Sequence, residues 1–306
     1  MSEAAASDYR AARETMAHRL RDLGVLSIEG PDRTAFLQGQ LTQDVRTLSP
    51  HLGRLAAGLT PKGKLLYFGR VWNDGERLLL LVPGDARAAV LAHLGKYAVF
   101  QKVTVRDVTD AWAVLGLYGP KASSANPDAA GEPLPPEGEF AAELLGPRAV
   151  VASWTRELEL SGSPAVSDAT AEILRVEAGR PRLGKDATDA NLPDEVGLQD
   201  AISATKGCYV GQEVVARLRT YGRVNRRLVG FRFPDEPVPE GTAFRNPEKP
   251  DSFQELARVS SAVISPRFGP IGLGLAFRDV AEGASLRDPA RPERTAVVAG
   301  LPFALA

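Results

Sequence analysis

The chain has 306 residues, enough for two domains of ordinary size or three small ones. A hydrophobic fraction of 44% against 25% charged residues describes a globular protein, and a formal net charge of −1 excludes a global field that draws it to nucleic acid or membrane. One cysteine excludes an intrachain disulfide framework and a zinc site built from several thiols, and suits a reducing cytosol. Three scattered histidines (His18, His51, His93) do not make metal-ligand spacing. The N-terminal stretch MSEAAASDYRAARE lacks a basic start followed by an apolar run, so no secretory signal is read and a cytoplasmic location is expected.

From the N-terminus, Ser7 is placed to cap a helix. Tyr9, Ala12, Met16, Leu20 and Leu23 recur at helical spacing, with Gly24 as its end. GVLSI at Gly24–Ile28 reads as a strand. Gly30-Pro31 then opens a short helix, PDRTAFLQGQL, with proline at its first position. GRLAAGLT and KLLYFGRVW read as strands joined by a Pro61-Lys62-Gly63 turn, and NDGE at Asn73–Glu76 is a second hairpin signal leading into RLLLLV. The apolar run Leu78–Val82 is too short to span a bilayer. Asp85 is placed to cap a helix over Ala86–Tyr97, and QKVTVRDVT and AWAVLGLYG resume the strand pattern.

Ala122–Gly138 is rich in Pro, Gly, Ala and Ser and reads as a surface loop. Ser167 precedes a strong helical pattern, DATAEILRVEAG, ended by Gly179; Leu183–Gln199 reads as a long ordered loop. From Leu228 onward short strands alternate with turns: LVGFRF, ELARVSSAVIS, IGLGLAF and ERTAVVAG. Mixed strands and helices followed by strands alone predict an α+β fold with a C-terminal β module. Within that module Gly269–Gly274 lacks a lysine and a following helix, so it reads as a closely packed strand and not a phosphate loop.

Three features carry possible chemistry. Glu177 falls in the last turn of its predicted helix, where a carboxylate meets the negative end of the dipole. Arg180 compensates it, or a ligand rich in N–H donors does, or solvent does; the residues leave this open. Cys208 precedes Gly211, a plausible N-cap, with Val210 and Val215 at staple positions and Glu213 in the first turn. A helix N-terminus and a neighbouring Lys206 favour a thiolate, so Cys208 reads as a nucleophile, a metal or cluster ligand, or a small buried core residue. Lys206, Arg217, Arg219, Arg223, Arg226 and Arg227 stand against the single acid Glu213, six cations and one anion for a local net of +5. Such a stretch is either an anion-binding patch or a solvated helix face.

The run KGCYVGQE at Lys206–Glu213 resembles the signature of the YgfZ family. These are folate-binding proteins related to the T-protein, the aminomethyltransferase of the glycine cleavage system, and they include iron–sulfur assembly factors. VLSIEGPDRTAFLQGQLTQDV at Val25–Val45, LTPKGKLLYFGRV at Leu59–Val71, LRVEAGRPRLGKD at Leu174–Asp186 and LPDEVGL at Leu192–Leu198 are similar to other family segments. The likeness is weakest at Pro120–Trp154 and after Pro234.

The resemblance implies a three-domain arrangement around a central opening. A folate-binding domain would span 1–108 with 167–225, a ferredoxin-like insertion 109–166, and a C-terminal β-barrel 226–306. It implies tetrahydrofolate or a related folate as ligand, with Glu177 matching the T-protein glutamate that answers the pterin ring. Arg180, Tyr209, Gln212, Glu213 and Arg223 are the further candidate folate contacts; which arginine takes the folate's glutamate tail stays open. Cys208, with Lys206 beside it, is the candidate catalytic centre. The implied role is support of iron–sulfur proteins, including tRNA-thiolating radical enzymes, with no membrane partner. T-proteins carry an aspartate on the strand that here reads KLLYFGRV, with Tyr67 and Phe68 and no acid. Folate-dependent aminomethyl transfer is therefore the alternative reading, and whether the chain is an enzyme at all is left open. Direct tRNA contact through the basic stretch is a third.

Overall fold

The computed structural model describes residues 3–122, 140–246 and 255–305. The chain forms two compact units. The first takes residues 3–122, Phe140–Ser167 and Gln199–Arg217; the second takes Asp168–Leu198 and the described residues from Leu218 onward. Most of the expected loop at Ala122–Gly138 lies outside the described residues.

The first unit holds two antiparallel sheets. Strands β3 (Gly53–Leu59), β4 (Leu65–Asn73), β5 (Leu78–Pro83), β2 (Leu23–Glu29) and β6 (Thr104–Asp107) lie in that spatial order. Strands β1 (Ala17–Leu20), β7 (Trp112–Tyr118) and β8 (Ala142–Pro147) make the other. Val25, Trp72, Leu79 and Leu81 of the larger sheet pack with Val114 and Leu145 of the smaller one in a shared core. Buried Glu143 on β8 takes Arg70 Nε at 3.0 Å and a short bond from Arg21. Burial pushes this carboxyl up, but the charges of Arg21 and Arg70 outweigh it and hold it below its usual range.

The first helix, α1, stops at Glu14 instead of running to Leu23. Its expected second half is strand: Ala17 faces Tyr118 and Leu20 faces Leu115 across β1 and β7. Pairing with a buried central strand outweighs local helical spacing. Helix α2 (Arg33–Gln40) begins two residues past Pro31, so the proline is not its first residue. Asp85 lies in a one-turn 3-10 segment, and α3 (Arg87–Ala98) starts behind it without a side-chain cap. Helix α4 (Arg148–Leu160), which the sequence pattern did not predict, covers β7 and β8.

In the second unit, six strands lie in the order β10 (Ala243–Phe244), β11 (Ala257–Ser265), β12 (Gly269–Phe277), β9 (Arg226–Arg232), β14 (Thr295–Ala299) and β13 (Ser285–Arg287). Arg245 and Arg287 exchange two backbone hydrogen bonds of 2.9 and 3.1 Å, joining the two edges. The sheet thus curls into a nearly closed antiparallel barrel filled by Val229, Phe231, Phe244, Val259 and Val298. Helix α5 (Asp168–Glu177) packs on β11 and β12, with Val176 against Ile271 and Leu273. Helix α6 (Gln212–Tyr221) starts in the first unit and ends in the second. The fold is α+β with a C-terminal β-barrel: the strand and helix order predicts the class and the β module, and the resemblance implies the barrel. Among the described residues, no helix is long and apolar enough to cross a membrane.

Candidate functional site

Lys206 is only 6% exposed. Its ammonium donates to the carbonyls of Gln38 at 2.7 Å, Leu41 at 2.5 Å and Gln43 at 3.0 Å. Gln38 lies in the last turn of α2, Leu41 is its C-cap and Gln43 follows just beyond, where a helix leaves acceptors unsatisfied and its dipole favours a cation. All three N–H donors of the lysine are therefore engaged, and the charge lies 4.9 Å from the centre of the Tyr209 ring. Burial pulls the lysine down to about 8; Asp44 opposes that shift and Arg46 adds to it. The expected neighbour of the thiol is thus an internal anchor that ties the signature loop to α2.

The same loop is fastened at further points. Val210 N–H donates to Gly39 O at 3.1 Å, and Ser203 N–H to Thr42 O at 3.0 Å. Thr42 Oγ1 donates to Ala201 O at 2.6 Å while accepting from Ala57 N–H at 2.9 Å. Gly211 has φ +83°, and a Cβ there would stand 2.6 Å from Thr60 O and 3.1 Å from Gly63 Cα. Only glycine lets the loop press against the Pro61-Lys62-Gly63 turn in this conformation. Gln212 then opens α6 with its N–H on Tyr209 O at 3.2 Å, and Glu213 is exposed in the first turn. Between the two anchors, Lys206 and Gly211, Cys208 is exposed. The core-residue reading of the cysteine is overturned.

Glu177 ends α5 in the second unit and is 2% exposed. Ser265 Oγ donates to its Oε1 and accepts from Arg267 N–H at 3.0 Å and Phe268 N–H at 2.9 Å. Phe303 N–H donates to the backbone oxygen of Glu177 at 2.9 Å. The helix closes in a Schellman motif: Gly179 N–H reaches Val176 O at 3.0 Å, and Arg180 N–H reaches Arg175 O at 3.1 Å. Gly179 supplies the left-handed residue at φ +67°. The solvated reading of Glu177 is therefore overturned, and β11 supplies a hydroxyl donor to a carboxylate that its own helix end disfavours. The half-buried Arg180 meets Arg175 Nη1 through its backbone oxygen, at 2.5 Å.

Beside it, Arg175 donates to Asp186 at 2.6 Å, to Ser261 Oγ at 2.7 Å and to both oxygens of Glu172 at 2.8 and 2.9 Å. Asp186 also accepts from Ser260, Ser261 and the Arg182 N–H. Burial pushes Glu172 up, but bonds and charge from Arg175, with Arg182 and Lys185, pull it down to about 2. This network braces α5 and the loop after it against β11.

The basic stretch does not form one patch. Lys206 points into the α2 carbonyls, Arg226 lies 5.0 Å from the centre of the Phe277 ring, and Arg227 donates to Val280 O at 2.8 Å. Arg223 instead lines an open depression of about 660 Å³ with Arg219, Thr220, Gly222 and Arg278.

On β4, Tyr67 is fully buried and burial pushes its hydroxyl above its ordinary range, while Phe68 is half-buried. Asp74, the first acid after β4, is held in its own hairpin: its carboxylate accepts from the N–H groups of Glu76 and Arg77 and pairs with Arg77 Nε at 2.8 Å. Asp44 pairs with Arg46 at 3.4 Å. Among the described residues no three His, Cys, Asp or Glu side chains gather as metal ligands.

Thus Lys206, Cys208, Tyr209, Gln212 and Glu213 share one loop and helix start in the first unit, Glu177 and Arg180 share the end of α5 in the second, and Arg223 lies at the end of α6. Sequence reasoning missed Ser265, which stands 88 residues from Glu177 with no local pattern to mark it. It also missed Arg278 and the three carbonyls of Gln38, Leu41 and Gln43. A backbone acceptor carries no residue signature, although Lys206 in front of a tight loop was the available hint.

Residues 1–126 match the GCVT N-terminal domain family. The chain is similar to the tRNA-modifying protein YgfZ of Colwellia psychrerythraea, 31% identical over 231 residues, 70% of this chain and 71% of that protein. It is also similar to the tRNA-modifying protein YgfZ of Vibrio atlanticus, 28% identical over 303 residues, 95% of this chain and 93% of that one. Among solved structures, aminomethyltransferase T of the glycine cleavage system from Bartonella henselae superposes with a TM-score of 0.84, covering 98% of this chain and 89% of that one at 22% identity. That likeness shows the fold. Together with the Lys206–Glu213 signature and its close-fitting seat on α2 and the β3–β4 turn, these matches mean that the chain belongs to the YgfZ family.

Proposed function

We propose that this protein is a reduced-folate-binding factor that supports the assembly or repair of iron–sulfur proteins, tRNA-thiolating radical enzymes among them, through Cys208. The observation that carries the reading is an exposed thiol on a loop pinned at both ends, by the Lys206 ammonium and by Gly211. A thiol held still in solvent-accessible surroundings suits transient sulfur or metal chemistry with a partner; a core cysteine does not. Lys206 acts through its hold on the loop. Tetrahydrofolate, or a related folate, fits a buried carboxylate that receives hydrogen bonds: Glu177 is the acceptor for the N–H donors of the pterin ring. Arg180, Tyr209, Gln212, Glu213 and Arg223 are the remaining candidate contacts, within a pocket domain of residues 1–108 and 167–225, an insertion of 109–166 and a barrel of 226–306. The iron–sulfur clients meet the protein in the cytoplasm.

Aminomethyl transfer is disfavoured because β4 offers Tyr67 and Phe68 where the T-protein has its acid, and Asp74 is tied into the hairpin.

Cys208→Ser tests the thiol. In cells lacking the native protein, the serine variant should leave iron–sulfur enzyme activity and tRNA thiolation unsupported, because a hydroxyl neither ionises near neutral pH nor serves as a soft metal ligand. Full support by the variant sinks the proposal. Glu177→Gln tests the ligand: titration with tetrahydrofolate should show affinity reduced roughly 10- to 150-fold, from the loss of about 1.5–3 kcal/mol at a charged hydrogen bond. Unchanged affinity in the folded variant removes Glu177 from the site.

A further inference from the structure

We propose that the depression at the end of α6 binds the phosphodiester backbone of RNA, so that the protein touches nucleic acid itself instead of acting only on enzymes that do. Three guanidiniums converge there, Arg219 and Arg223 from the α6 end and Arg278 from the end of β12, around an open space of about 660 Å³. The convergence is built: Arg278 N–H donates to Asn225 O at 3.0 Å, which fixes the corner after β12 against the loop after Arg223. Two carboxylates stand at the rim. Asp194 pairs with Arg219 at 3.1 Å, and Asp279, 87% exposed, pairs with Arg278 at 3.2 Å. The Asp279–Arg278 pair is exposed and weak, so a phosphate can displace it, whereas Asp194 keeps its two bonds from Arg219. Arg223 has no ion-pair partner among the described residues.

The shape favours a backbone over a compact anion. The depression is wide and open where a lone phosphate or carboxylate is held in a closed nest, and Arg223 and Arg278 in its lining are the guanidiniums left to take phosphate oxygens. The near-neutral whole chain means that this local site, not a general field, supplies the attraction. The site stands on the arginines alone; only the choice of RNA as the nucleic acid rests on the function proposed above.

The full chain should be titrated with a labelled RNA stem-loop, and separately with a polyglutamate peptide, across a salt series. RNA binding should weaken with added salt. Arg223→Ala with Arg278→Ala should lower the salt slope by about 1.4–1.8, roughly 0.7–0.9 for each of the two phosphate contacts removed. Arg182→Ala, an exposed arginine elsewhere in the second unit, should leave the slope unchanged. Thermal unfolding checks that the double variant is folded. Absence of RNA binding by the native protein, an unchanged slope in the double variant, or arginine-dependent binding of polyglutamate in place of RNA would each overturn the proposal. Cys208→Ser should bind RNA normally, so failure of the thiol reading and failure of this one are separately visible.

Discussion

Lys206 in the first unit and Arg175 in the second are both buried cations, each 6% exposed, yet they are satisfied in opposite ways. Lys206 meets three neutral carbonyls at a helix end. Arg175 meets two carboxylates, holding Glu172 in fork geometry and Asp186 through one Nη1 bond. Burial pulls Lys206 down to about 8, whereas for Arg175 the carboxylates outweigh burial and push it further up. The lesson concerns permanence. Arg175 keeps its charge at any accessible pH. The lysine anchor carries a charge that burial disfavours, and it holds the loop that bears the candidate thiol.

The sharpest way to break the comparison is Arg175→Met. It leaves Asp186 buried without its cation and should cost about 3–5 kcal/mol of stability, read by denaturant unfolding. Lys206→Met strands three carbonyls but no opposite charge, so a smaller loss of about 3 kcal/mol is expected. If the two variants lose equally, the neutral cage is as demanding as the ionic one and the distinction fails. Gly211→Ala disturbs the same loop by shape instead of charge. Its methyl meets the Thr60 carbonyl at positive φ, which should cost about 2–3 kcal/mol and slow thiol presentation without touching Lys206.

The titration sharpens the contrast further. Lys206 titrates near 8 in the folded chain and near 10.5 when unfolded. Between those values the unfolded chain holds a proton that the folded chain has released, so stability rises with pH across that window, by a gain on the order of 3 kcal/mol. The rise should vanish in Lys206→Met and persist in Arg175→Met. Calorimetry of the three proteins from neutral to alkaline pH checks it. The smallest effect belongs to the rim of the arginine network: Arg182, about half exposed, pairs with Glu172 at the surface, and Arg182→Ala should cost below about 1 kcal/mol. A loss as large as that of Arg175→Met would move the brace from Asp186 to the surface.

Much of the fold was legible because its signals are local. Pro61-Lys62-Gly63 and Asn73–Glu76 mark hairpins by turn chemistry, Gly179 ends α5 in the conformation only glycine favours, and Gly211 announces α6. The failures were also physical. Leu20 and Leu23 fit a helix as well as two strands, and only the presence of β7 beside Leu20 and of β5 beside Leu23 decides between them. Helix α4 sits in the segment where pattern and resemblance are both weakest. The candidate residues themselves were visible, but their surroundings were not: Lys206 beside Cys208 read as an activator of the thiol, and its ammonium instead turns to α2.

By itself the sequence determined the α+β class, four of the six barrel strands, the signature loop with its single thiol, and a carboxylate set against its own helix dipole. Those depend on periodicity, turn residues and spacing, which a chain carries along its length. Only the tertiary structure decided that Lys206 is an anchor, that Ser265 answers Glu177, that Arg278 completes a basic depression with Arg223, and that Cys208 faces solvent. Each of these joins groups far apart in the chain or uses backbone carbonyls. Such partners become neighbours only when the elements pack, because burial leaves every polar group in need of one.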